Sequence, residues 1–105
     1  MTDLSSFVDE YRDLPRAHLL ETLLLQIATL GTDVQSEVEP LAVRFRVNDV
    51  ILCELSMYGQ LFIVRCGPGL AVEYRVRDED VALRALDQIL HEYVQLRDNS
   101  LPAAP

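Results

Sequence analysis

The chain has 105 residues, half of them hydrophobic, with a formal net charge of −8 and a pI near 4.5. That length and apolar content suit one globular domain with its own core and exclude a disordered chain. The acidity makes nucleic acid an unlikely partner, and no apolar run approaches the roughly 20 residues of a membrane span.

Thr2 to Asp13 is expected to form a short helix capped by Ser5 or Ser6, with Phe7, Tyr11 and Leu14 on one face. Pro15 lacks a donor and clashes with the preceding turn, so the helix breaks there and restarts with Asp13 as the new cap. A second helix, Pro15 to Leu30, carries apolar residues around most of its circumference and ends at Gly31 as a C′ residue. Its narrow polar stripe, His18, Thr22, Gln26 and Thr29, implies cover from more than a sheet: the first helix, the last helix or a second subunit. Thr32 to Pro40 reads as a polar connector. Val34, Ser36 and Val38 alternate as an edge strand would, but Pro40 and the acids Asp33, Glu37 and Glu39 argue against one.

From Leu41 to Arg77 the pattern is that of four antiparallel strands. Val43, Phe45 and Val47 alternate with Arg44 and Arg46. Cys53, Leu55 and Met57 alternate with Leu52, Glu54 and Ser56. A two-residue turn at Asn48-Asp49 would set Val43 against Glu54, so a three-residue loop is expected, pairing Val47 with Ile51, Phe45 with Cys53, and Arg44 with Glu54. Gly59-Gln60 suits a type II′ turn, which pairs Cys53 with Cys66, Glu54 with Arg65, and Tyr58 with Leu61. Gly67-Pro68-Gly69 then turns the chain so that Cys66 meets Leu70, Val64 meets Val72 and Phe62 meets Tyr74. Asp78 caps a last helix whose core stripe is Ala82, Leu86, Ile89, Leu90, Tyr93 and Leu96. Asp80 and Arg84 can pair along it, as can Asp87 and His91.

The expected architecture is an α+β two-layer sandwich: a four-stranded antiparallel meander with N-terminal and C-terminal helices on one face. Residues 1–98 form the single domain and 99–105 a flexible tail, with Leu101 to Pro105 its loose end. No basic start, apolar block and cleavage site open the chain, so a cytoplasmic protein with no membrane partner is expected.

Few residues propose chemistry. Cys53 and Cys66 face each other across two strands, as two space-filling thiols would; a redox pair or a metal site is the sharper alternative. His18 and His91 fall on polar helix stripes with no nucleophile placed beside them. Asp9, Glu10 and Asp13 read as a solvated helix face, and Asp78, Glu79 and Asp80 as helix-start electrostatics. Gly67-Pro68-Gly69 runs from strand to strand without the Lys-Ser/Thr of a phosphate loop. No catalytic residue, metal ligand or cofactor is assigned.

The outer sheet face is the most informative surface. Leu52, Tyr58, Leu61, Ile63 and Ala71 lie at its middle; Arg44, Arg46, Arg65, Arg75 and Arg77 surround them, interleaved with Glu54 and Glu73. An apolar centre with Tyr and an Arg rim is the composition of a protein interface. The expectation is a non-enzymatic interaction module, a homodimer or bound to a protein partner through this face. The alternatives are a nucleic-acid binder using the same arginines, and a small-ligand-binding protein or enzyme with a pocket between helices and sheet.

The order helix, antiparallel strands, helix, with an acidic first helix, is similar to frataxins; the chain has no Trp, which separates it from them beyond that order. Its size and low pI resemble those of bacterial secretion chaperones, whose strands a helix interrupts. Neither resemblance carries residues over.

Overall fold

The computed structural model describes residues 4–100. The elements run α1 (Leu4–Glu10), α2 (Ala17–Ala28), β1 (Val34–Glu39), β2 (Ala42–Val47), β3 (Val50–Tyr58), β4 (Leu61–Cys66), a 3₁₀ turn (Pro68–Leu70), β5 (Val72–Val76) and α3 (Glu79–Ser100). The expected helix start at Thr2 and the loose end Leu101 to Pro105 lie outside the described residues, while α3 runs two residues past the expected domain end at Asp98.

The class is α+β, but the sheet has five strands and not four, in the order β1-β2-β3-β4-β5, every neighbour antiparallel. The added strand is the segment expected to be a connector. Pro40 does not oppose it, because Pro40 and Leu41 form the two-residue turn beyond its end, with Glu39 opposite Ala42. Its acids do not oppose it either: Glu37 lies opposite Arg44, and Glu37 and Glu39 ion-pair with Arg46 and Arg44.

One hydrophobic cluster holds the fold together. It joins Phe7 of α1, Leu20, Leu23, Leu24 and Ile27 of α2, the inward residues Val43, Phe45, Leu55, Phe62, Val64 and Val76, and Ala82, Ala85, Ile89 and Tyr93 of α3. α2 packs on α1, α3 and β1, which is why its apolar surface extends so far around it, while α3 lies against β2 to β5. Since α1 packs chiefly on α2, the helical side departs from the plain second layer that was expected. The Phe7 and Tyr11 rings sit 5.0 Å apart, and the Tyr11 hydroxyl donates to the Pro40 carbonyl at 2.8 Å, tying α1 to the β1–β2 turn.

The helices are interrupted around Pro15, as expected, but α1 already ends at Glu10 and not at Asp13. The restart is capped by Arg16 without a side-chain hydrogen bond, and not by Asp13. Ser5 and Ser6 lie inside α1 and so do not cap it. At the other end of α2 the cap is Thr29, whose hydroxyl donates to the Leu25 carbonyl at 2.8 Å. Asp78 caps α3 as expected, accepting from the Val81 amide at 3.0 Å, and Asp80 pairs with Arg84 at 2.9 Å. Leu90 departs from the expected core stripe of α3: with Leu83 and Val94 it stands among the exposed large apolar side chains, and Ala85 fills the core instead. His91 meets Gln95, not Asp87.

The β3–β4 register is the expected one throughout. Gly59 alone of its turn has positive φ, at 66°, as a type II′ turn requires at its first position. The β2–β3 turn differs. Asn48 and Asp49, at φ 51° and 67°, make the two-residue turn, and Val47 pairs with Val50. Phe45 still meets Cys53 because the register shifts between Phe45 and Arg46, leaving Leu52 as the extra residue of a β-bulge. Between β4 and β5 the loop is longer than expected. Cys66 pairs with Val72, Val64 with Tyr74 and Phe62 with Val76, a slip of two residues that keeps Val72 to Val76 on their expected faces but leaves Leu70 and Ala71 before the strand, outside the sheet.

Candidate functional site

The outer face is built by alternation, which sends every second residue of each strand to it except at the Leu52 bulge of β3. By register, Glu37, Arg44, Glu54, Arg65 and Glu73 stand opposite one another in a row that crosses all five strands. Their charges alternate along the row. Arg44 Nε donates to Glu54 at 2.7 Å, and Arg44 also pairs with Glu39. Arg65 lies 3.9 Å from Glu54 and 3.1 Å from Glu73, and Arg75 lies 3.6 Å from Glu73. Arg46 pairs with Glu37. Glu54 is the centre of this ladder, its side chain only 13% exposed between two guanidinium groups. Its hydrogen bond with Arg44, with that from Glu39 beside it, holds the Arg44 guanidinium above its already high ordinary range.

The expected site residues are therefore brought together in part. Arg44, Glu54, Arg65, Glu73 and Arg75 join one ladder, with Glu73 directly opposite Arg65 rather than diagonal to it. Tyr58, Leu61 and Ile63 form an apolar strip at the β3–β4 hairpin end. There Tyr58 faces Leu61, Ser56 faces Ile63, and Tyr58 is 76% exposed. Ile63 is nearly covered, at 8% exposure. The strip and the Arg65–Glu73–Arg75 end of the ladder line a shallow concavity of about 320 Å³. Arg77 lies past the end of β5, its carbonyl accepting from Arg16. Leu52 does not belong to the face at all. It is 1% exposed and sits in the core, turned inward by the bulge.

Sequence reasoning missed Glu37 and Glu39, which convert an Arg rim into a neutralised one. The signal was the two-residue alternation of Val34, Ser36 and Val38, which sets Glu37 and Glu39 on the same face as Arg44 and Arg46. It also left unlocated a cleft of about 510 Å³ at the opposite end of β3, bounded by Val50–Leu52, Gly67–Leu70, Glu92 and Leu96.

Cys53 and Cys66 stand opposite each other as expected, both reduced and wholly buried. Burial, with the neighbouring Cys66, pushes the Cys53 thiol far up; burial, with the Glu92 carboxylate nearby, pushes Cys66 up to about 11. Both are held in the protonated form, which is the less nucleophilic and the poorer metal ligand. Among the described residues no three His, Cys, Asp or Glu side chains converge as a metal site would require, and no helix is long and apolar enough to cross a membrane.

The chain matches no family model, no curated protein and no solved structure.

Proposed function

We propose that the protein is a non-enzymatic interaction module that binds a protein partner through the outer sheet face, in its simplest form a second copy of itself. The observation that supports this is the solvent-exposed Tyr58 ring beside Leu61 and Ile63, framed by a charge ladder whose members are already paired. Tyr supplies a large, rigid contact at low entropic cost, and it is enriched at the centres of interfaces. Paired charges also lower the penalty of covering the rim, because each guanidinium enters the interface with its counter-charge in place. The same pairing argues against nucleic acid. Arg44, Arg46, Arg65 and Arg75 are committed to carboxylates, and a phosphate backbone would have to displace those in a chain of net charge −8. A second copy is the simplest occupant, since a two-fold axis through one face makes it self-complementary.

Sedimentation at tens of micromolar tests the reading. A dimer is expected that Tyr58→Ala weakens at least tenfold, about 1.4 kcal/mol. Tyr58 is the better probe than Ile63→Asp, because its exposed ring can be removed without disturbing the fold. A wild-type monomer would remove self-association and leave the heterologous partner, to be sought by cross-linking from a photoreactive residue at position 58. A dimer indifferent to Tyr58→Ala would place the interface elsewhere.

A further inference from the structure

The cleft at the start of β3 lies away from the strip formed by Tyr58, Leu61 and Ile63. Its walls are Ile51, Leu52, Leu70 and Leu96, with Pro68 and the flanking glycines at the lip. At about 510 Å³ it falls within the roughly 300–1,000 Å³ of small-molecule sites. Among the described residues Glu92 is the single charged one in its lining. The Gln88 side-chain amide donates to Glu92 Oε1 at 3.0 Å, which orients the carboxylate. A Cβ added at Gly67 would lie 3.9 Å from Glu92 Oε1, so the carboxylate stands directly behind the loop lip.

The lip is a shaped structure. Gly67, Gly69 and Leu70 all hold positive φ, at 82°, 66° and 55°, and the Leu70 amide closes the turn by donating to the Gly67 carbonyl at 2.9 Å. A leucine adopts that conformation at a cost, and here it sets Leu70 at the mouth of an apolar cleft. The Glu92 carboxylate also helps to raise the Cys66 thiol, in keeping with its place beside the sheet end.

We propose that this cleft binds a small primary alkylammonium ion, its apolar body against Ile51, Leu52, Leu70 and Leu96 and its nitrogen on Glu92. One carboxylate in an otherwise apolar cavity selects for one cation with a hydrocarbon tail. A carboxylate ligand would meet like charge, and a neutral one would cover the Glu92 carboxylate without compensating it. A metal ion would find one ligand where several are needed. The net charge of −8 further raises the local concentration of small cations.

The test is a titration of isotope-labelled protein at neutral pH with hexylamine, hexanoate and hexanol, followed by the amide resonances of Gly67, Gly69 and Leu70. Hexylammonium is expected to give saturable shifts at these amides, with hexanoate and hexanol at least tenfold weaker. Glu92→Gln should weaken hexylammonium about tenfold. Leu96→Trp, which fills the cleft and leaves Glu92 in place, should abolish binding, and it keeps the test decisive if Glu92→Gln alters the fold. No saturable binding, equal binding of hexanol, or binding indifferent to both variants would overturn the proposal. Tyr58→Ala leaves the cleft unchanged, so this test and that of the interaction face fail independently.

Discussion

Gly31 shows how a single residue can be required for a reason that is invisible locally. Its place after α2 suggests a left-handed cap, yet it is absent from the residues with positive φ. A Cβ there would meet Asp33 Oδ1 at 2.6 Å and come closer still to the Tyr93 hydroxyl. That hydroxyl donates to Asp33 Oδ1 at 2.6 Å, joining α3 to the segment that leads into β1. The bond to a carboxylate needs the phenol proton, and with burial it raises the Tyr93 pKa. Gly31→Ala should therefore cost about 1–3 kcal/mol by overpacking, and Tyr93→Phe about 1–2 kcal/mol by loss of a charge-assisted bond. Because both changes act on one contact, urea denaturation of the double variant should show a cost well below their sum.

At the scale of elements, the β2–β3 hairpin carries the main lesson. Two signals conflicted in the sequence: Asn48-Asp49 is a two-residue turn, and the apolar alternation demands a register that such a turn cannot give. The structure satisfies both, by inserting Leu52 as a bulge and burying it beside Cys53. Leu52→Ala should accordingly destabilise by about 2–5 kcal/mol, as a core truncation does. A residue on the outer face would cost close to nothing, so one urea curve separates the two placements. The β4–β5 slip shows the opposite tolerance. A shift of two residues preserves faces, so Glu73 and Arg75 stayed on the outer face although their partners changed.

The whole molecule has a pH signature. Cys53, Cys66 and Tyr93, all buried, keep their protons in the folded state beyond the ordinary range. In the unfolded chain a thiol ionises near 8.5. Above that pH the folded state holds more protons than the unfolded state, so stability must fall as pH rises. For Cys66 the loss runs from about 8.5 in the unfolded chain to about 11 in the fold. The slope is about 1.4 kcal/mol per pH unit for each such group. Urea midpoints across this range should decline steadily, and Cys66→Val should flatten the decline; a midpoint independent of pH to 10.5 (roughly two units above the free thiol) would contradict the buried thiols.

The sequence by itself determined which residues face inward on β2 and β4, the whole β3–β4 register, the break at Pro15 and the Asp78 cap. These follow from short-range rules: two-residue alternation, turn chemistry, a missing donor and a local hydrogen bond. Only the tertiary structure decided that Val34–Glu39 is a strand, that Leu52 is core and that Leu90 is exposed. Each of those depends on how elements pair and pack rather than on the pattern of one segment alone. β1 exists because β2 offers Arg44 and Arg46 to its acids, Leu52 turns inward because Val47 pairs with Val50, and Leu90 faces out because Ala85 and Ile89 already meet the sheet. The outer sheet face changed for the same reason, from an arginine rim to a neutral ladder, once a fifth strand supplied the opposing charge.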